Sequence, residues 1–296
     1  MSLTPELHRL DSATSRHSTA PSSVTDELMK SSLLAKFALI CSMLAPWLAV
    51  AADEIVFRDK AGRVLKKSDL AEANGNFTWE LASTTPVGEE AKKEHALGRA
   101  AGQRGDYRTA LAHFTAASKI APAWPYPVYD AAFTFLLQKE FDTAYEYYRR
   151  VDQMSPRGFF TAKTAVHALR MELNRELPSG TYLSYVALEW ETDKQKVRQV
   201  AQAMTRVTPG FAPAWKTAAM LEDDLGRRAA LLESGLKARP DEETRGFLLL
   251  NKALVLHEQN RTPEAKAILG ELALAPTSPR DIEALAKRTL AQLAQR

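Results

Sequence analysis

Between Ala91 and Pro156 the chain writes one pattern twice, at an offset of 34 residues. Leu97-Gly98 is answered by Ala131-Ala132, Tyr107 by Phe141, Ala110 by Ala144, Phe114 by Tyr148, Ala117 by Val151, and Pro122 by Pro156. This offset constrains the fold more than composition can. A unit of this length holds two helices and a turn, cannot bury its apolar face alone, and must stack on its neighbours. Gly98, Ala110, Ala132 and Ala144 are small enough for close helix crossings, and Tyr107, Phe114, Phe141 and Tyr148 fill the space beside them. Gly105-Asp106 suits the turn between helices, with Lys139-Glu140 in its place in the second copy. Pro122 and Pro156 end the second helices, because Pro cannot continue a helix.

The period and the order of small, aromatic and Pro positions resemble the tetratricopeptide repeat (TPR) family. The resemblance implies an all-α solenoid of antiparallel helix pairs, acting as a non-enzymatic scaffold for a protein or peptide. In that family one face of each first helix usually looks into a concave groove. Lys92, His95 and Arg99 take those places in unit one, Tyr126, Tyr129 and Phe133 in unit two, and Tyr182, Val186 and Glu189 in unit three. Two readings of the rings stay open: they line a partner groove, or they pack between repeats and against the N-terminal segment. Some family members clamp C-terminal carboxylates with Lys, Asn and Arg. Here the nearby places hold His95, Arg99, Asp130 and Phe133, so that activity is not carried over.

Beyond Pro156 the register slips by about one helix and returns from Pro178. Tyr185, Ala219 and Ala253 then share one place, Thr192, Gly226 and Asn260 the turn, and Ala201, Gly235 and Leu269 the crossing face. The expected layout is units one and two over 89–158, an extra helix over 159–177, and degenerate units three to five over 178–279. A capping helix over 280–296 follows. A lone helix among pairs predicts a bend near Phe159 to Pro178. Residues 52–88 read as a small β-rich cap and linker: Ile55-Val56-Phe57 and Phe77 to Leu81 are strand-like, Val64-Leu65 offers a third run, and Ser68 could cap a short helix. The cap serves either as a lid on the first helix or as a docking module.

Residues 1–51 read as a targeting region. Phe37 to Val50 is apolar apart from Ser42 and Pro46, and is preceded by Lys30 and Lys36. Ala49-Val50-Ala51 then offers a signal-peptidase site, with cleavage expected after Ala51. Met29-Lys30 would open a signal of ordinary length, so Met29 is a candidate start. The alternative is an uncleaved inner-membrane anchor. The only cysteine, Cys41, lies inside the apolar run, so cleavage would leave no disulfide, no Cys-ligated metal and no thiol nucleophile.

Net charge is +3, with Lys and Arg interspersed among Asp and Glu, which is no nucleic-acid footprint. No phosphate-binding Gly loop, metalloprotease helix or nucleophile elbow is present. His95, His113, His167 and His257 lack ligand-spaced companions, so no metal and no cofactor are expected. Glu222-Asp223-Asp224 reads as a solvated helix end. The expected function is an exported, periplasmic or secreted adaptor for a protein or peptide. The alternative is a structural, self-associating envelope protein without a separate ligand.

Overall fold

A computed structural model of the chain describes residues 55–59, 77–81 and 87–294. The targeting region, the Ser68 cap and the Val64-Leu65 strand lie outside the described residues. Strands β1 (Ile55–Asp59) and β2 (Phe77–Leu81) pair antiparallel, with Ile55 opposite Leu81 and Asp59 opposite Phe77. The rest is helical: α1 (Glu89–Gln103), α2 (Tyr107–Ile120), α3 (Pro125–Leu137), α4 (Phe141–Met154), α5 (Ala162–Leu173), α6 (Thr181–Val186), α7 (Lys194–Val207), α8 (Ala212–Met220), α9 (Leu225–Lys237), α10 (Glu242–Glu258), α11 (Thr262–Leu274) and α12 (Arg280–Ala294). A 3-10 turn over Ala187–Trp190 extends α6.

Local chemistry sets the helix starts. Asp106, Asp193, Asp224 and Asp241 sit at N-caps and accept backbone N–H bonds from the first turns of α2, α7, α9 and α10. Helices α3, α8 and α11 carry Pro in their first turn, where no intrahelical N–H is needed. The turn between α1 and α2 needs a left-handed residue, and Gly105 supplies it at φ 78°. Lys139 and Asn260 take the same conformation at φ 63° and 62° in the turns of units two and five.

Short turns make successive helices antiparallel neighbours that pack on one another, from α1 through α6 and again from α7 through α12. First helices of adjoining units also touch, α1 on α3, α8 on α10 and α10 on α12. This is a TPR-like helical-repeat solenoid. Its crossings have the expected contents: Ala110, Phe114, Ala117, Ala132, Ala144 and Val151 are fully enclosed, and Tyr148 nearly so. A Cβ on Gly98 would lie 2.6 Å from the Phe114 ring, so only Gly allows that approach. Gly235 answers it in unit four, where a Cβ would lie 2.9 Å from Leu248 and 3.0 Å from Trp215. Tyr107 and Phe141 are half-buried beside their crossings, and Pro122 and Pro156 are exposed past the helix ends.

The register slip is helix α5 and the loops around it. The Glu172 carboxylate near its end accepts backbone N–H bonds from Gly180 and Tyr182, both at 2.6 Å, and so anchors the start of α6. Beyond α5 the chain comes back far enough to meet itself. Helix α5 touches α10, and Arg157, just before α5, reaches the start of α12. Its guanidinium donates to the Ser278 carbonyl at 3.2 Å and pairs with Glu283, and its carbonyl accepts from Arg280 N–H at 2.9 Å. This closure has no signature in the 34-residue register.

Candidate functional site

The aromatic side chains of α3 face inward, but they are packed rather than laid open. Phe133 is buried against Trp190, with ring centroids 5.6 Å apart. Tyr129 is half-buried, lies edge-on to Tyr148 and Phe159, and bonds Thr161 Oγ1 through its hydroxyl at 2.9 Å. Tyr126 sits against Phe159 and Phe160 at 4.8 and 5.4 Å. Tyr182 is buried, with its hydroxyl 3.3 Å from Thr161 Oγ1. Of the two readings of these rings, the geometry is that of inter-repeat packing. The rings that cover them come from Phe159, Phe160 and Trp190, in the slipped segment and the shortened third unit.

The basic candidates are also engaged. His95 is buried, and its Nε2 lies 2.7 Å from the Asp130 carboxylate. The His95 ring touches Trp124 edge-on at 4.8 Å, and Arg99 approaches the same carboxylate at 3.8 Å. Lys92 is exposed and pairs with Glu89 on its own helix. Asp130 is thus a structural partner of His95 and Arg99. The acidic run at α9 is a helix start: Asp224 caps it, Glu222 binds Arg227, and Asp223 binds Arg198.

A different constellation gathers on the inner wall. Lys216 of α8 sits with its ammonium over the rings of Tyr185 and Phe247, 5.8 and 5.2 Å from their centroids. Among the described residues no carboxylate comes within ion-pair distance of it. Glu189 of unit three, Glu243 of unit five and Asp281 of the cap all feel its charge. The Glu189 side chain is exposed to water. Burial pushes the Glu189 carboxyl up, and the nearby Lys216 charge pulls it partly back. Burial together with Asp281 and Asp241 pushes Glu243 well above the usual carboxylate range. Asp281 is raised by burial as well. Lys216 is held above the ordinary lysine value: burial lowers it, but Tyr185, Glu243 and Glu189 outweigh that.

The Lys216 ammonium, the exposed Glu189 carboxyl and the Phe247 ring thus come together, while the hydroxyls of Tyr129, Thr161 and Thr217 are engaged with one another or with Tyr182 and Tyr185. That mixture suits a polar chain with donors and acceptors of both kinds. Among the described residues no group of three or more His, Cys, Asp or Glu side chains is arranged to hold a metal ion. Sequence reasoning missed Lys216, although one further step of 34 from Tyr182 reaches it. Glu243 and Asp281 gave no such signal, since each reads as an acidic residue in a helix's first turn.

A second concavity of about 430 Å³ lies outside, between α9, α10 and α11. Leu232, Val255 and Ile268 form its floor, and Glu233, Lys252, Arg261 and Glu264 its rim. The rim charges are paired with one another, Lys252 with Glu233 and Arg261 with Glu264, both at 2.6 Å.

No protein-family model and no curated protein matches the chain. Among solved structures, a MamA segment from Desulfovibrio magneticus RS-1 is 15% identical, with 63% of this chain and 94% of that one covered and a TM-score of 0.31. A thermophilic TPR protein of Thermus thermophilus is 21% identical, with 70% and 100% covered and a TM-score of 0.30. The ArsTM double mutant of MamA RS-1 is 14% identical, with 69% and 98% covered and a TM-score of 0.31.

Proposed function

We propose that the chain is a non-enzymatic scaffold of the cell envelope that holds a protein or peptide partner in the hollow of its superhelix. The observation that carries this is the Lys216 ammonium set over the Tyr185 and Phe247 rings with the Glu189 carboxyl near enough to feel its charge, unlike chemistries brought together from separate units. Fixed side chains of both charges beside an aromatic ring suit a peptide backbone and its side groups, and a repeat scaffold sets them at regular spacing. Export rests on the apolar run Phe37 to Val50 and the Ala49-Val50-Ala51 site.

A photo-crosslinking residue in place of Glu189, inside the hollow, tests the reading in the producing cell. It should capture a foreign envelope protein, while the same probe at exposed Arg149 on the outer face should not. Crosslinks to copies of this chain alone would favour the self-associating structural role. Cell fractionation with intact-mass measurement tests export separately. A periplasmic chain beginning at Ala52 is expected, and full-length protein retained in the inner membrane would overturn that part.

A further inference from the structure

The ion pairs that cross the seam, where the superhelix meets itself, are sorted by charge. The cations, Arg157 and Lys163, come from the side of α5. The carboxylates, Glu242 and Glu283, come from the first turns of α10 and α12. Arg157 pairs with Glu283 and also donates to the Ser278 carbonyl at 3.2 Å. Lys163 reaches Glu242 at 3.2 Å while holding Asp152 of its own side at 2.9 Å. Between these pairs the Thr164 hydroxyl lies 3.1 Å from both Asp241 Oδ1 and Glu243 Oε2, and its backbone N–H donates to the same Glu243 oxygen at 3.4 Å.

The apolar cores on the two sides do not merge at the seam. Ala162, Ala165 and Leu169 of α5 belong to a cluster that runs from α3 to α8. Leu250, Leu256, Leu269 and Ile282 belong to another, built by α10 to α12. Neither cluster draws a residue from the other's helices. Gly158 lies beside Pro279 across the seam, but has no side chain to bury there. Small polar contacts between bodies of one chain permit relative motion, whereas large apolar ones do not.

We infer that the seam is an ionic latch, which closes the superhelix at low ionic strength and opens as salt rises while the helix pairs on either side keep their cores. Salt ions can reach the pairs that matter. The Arg157 and Glu283 side chains are 39% and 23% exposed, and Glu242 is 62% exposed. Screening shortens the reach of such charges from about 10 Å at 0.1 M salt to about 3 Å at 1 M. Each exposed pair changes an equilibrium by up to about fivefold, so the two together can move the balance between closed and open forms. The Thr164 bonds are buried, and set the closed register rather than its salt response. The latch goes beyond the scaffold reading and does not depend on it, since it concerns the seam whether or not the hollow holds a partner.

The test is a spin-label distance measurement on the full chain, with Cys41→Ser and labels at exposed Arg150→Cys and Thr277→Cys on the two sides. Sodium chloride is raised from about 0.02 M to about 1 M, which spans the range from weak to strong screening. We expect one short distance at low salt and a growing, longer population at high salt, with an unchanged circular dichroism spectrum. Glu242→Lys with Glu283→Lys sets like charges against Lys163 and Arg157. That variant should show the long distance already at low salt, and added salt should move it back toward the short one, because salt now screens a repulsion. A parent distance that ignores salt would overturn the latch. So would a folded Glu242→Lys, Glu283→Lys protein that keeps the parent's short distance at low salt.

Discussion

The first two units and the last two solve the same packing problem with different residues. In unit one a Gly on the first helix receives an aromatic ring from its own second helix, Gly98 against Phe114. In unit five Gly246 is also occupied, with its Cβ position 2.7 Å from Ile282, but Ile282 comes from the capping helix. The first contact lies inside one repeat and recurs at a fixed offset. The second lies between elements and has no counterpart at that offset. Around α3 the core is built of rings, from Trp124 through Tyr129, Tyr148 and Phe159. Around α10 to α12 it is aliphatic, with Leu250, Leu256, Leu269, Ile282 and Leu293. One end of the solenoid is therefore held by shape-specific crossings within units, the other by close-packed aliphatic contact with the cap.

The largest effect that sharpens this contrast is removal of the α3 rings. Replacing Tyr126, Tyr129 and Phe133 together with Ala should unfold the first units, because a buried ring alone costs about 3–5 kcal/mol. Circular dichroism should then show an early loss of helix, with the aliphatic end melting later. A triple variant with unchanged melting would mean that the rings line an open groove after all. Next comes Glu172→Ala, which deletes a carboxylate holding two backbone N–H groups. Hydrogen bonds to charged groups are worth about 1.5–3 kcal/mol, and denaturant unfolding should register a loss on that scale. Ala110→Phe and Ala144→Phe follow. Each should cost about 1–3 kcal/mol by overpacking a fully enclosed crossing, as read by thermal midpoints. The smallest effect is favourable. Lys139→Gly should stabilise by about 1 kcal/mol, since left-handed backbone costs a non-Gly residue about 1–2 kcal/mol and Gly returns part of that as entropy. An unchanged or lowered midpoint would mean that the Lys139 turn is not strained.

What could be read from the sequence was what repeats. Gly98, Ala110, Phe114, Ala144 and Tyr148 sit where a 34-residue period puts them, because each touches only its own unit or the next. Even the weaker matches Ala201, Ala219, Ala253 and Leu269 are enclosed. What could not be read was contact across the curl. Thr164 with Glu243, or Arg157 with Glu283, joins residues with no shared register, and the superhelical path that brings them together is the sum of many small rotations. The α3 rings were ambiguous for the same reason. Helical spacing showed which way they point, but Phe159, Phe160 and Trp190, which cover them, come from the slipped segment and the unit beyond it. Around Lys216, Glu189 and Lys216 itself follow from the period, while Glu243 and Asp281 come from the first turns of α10 and α12, which pack in sequence beside α8.

The closure itself is therefore the claim to test most directly, and Lys163 gives the means. Its ammonium lies 2.9 Å from Asp152 beside it and 3.2 Å from Glu242 across the seam. A zero-length carbodiimide coupling on the monomeric chain, followed by peptide mapping, should yield both amides. The Lys163–Glu242 link should persist at high dilution, as an intramolecular bond does. Recovery of the Lys163–Asp152 amide without any Lys163–Glu242 amide would show an open solenoid, and would contradict the fold described for the curl.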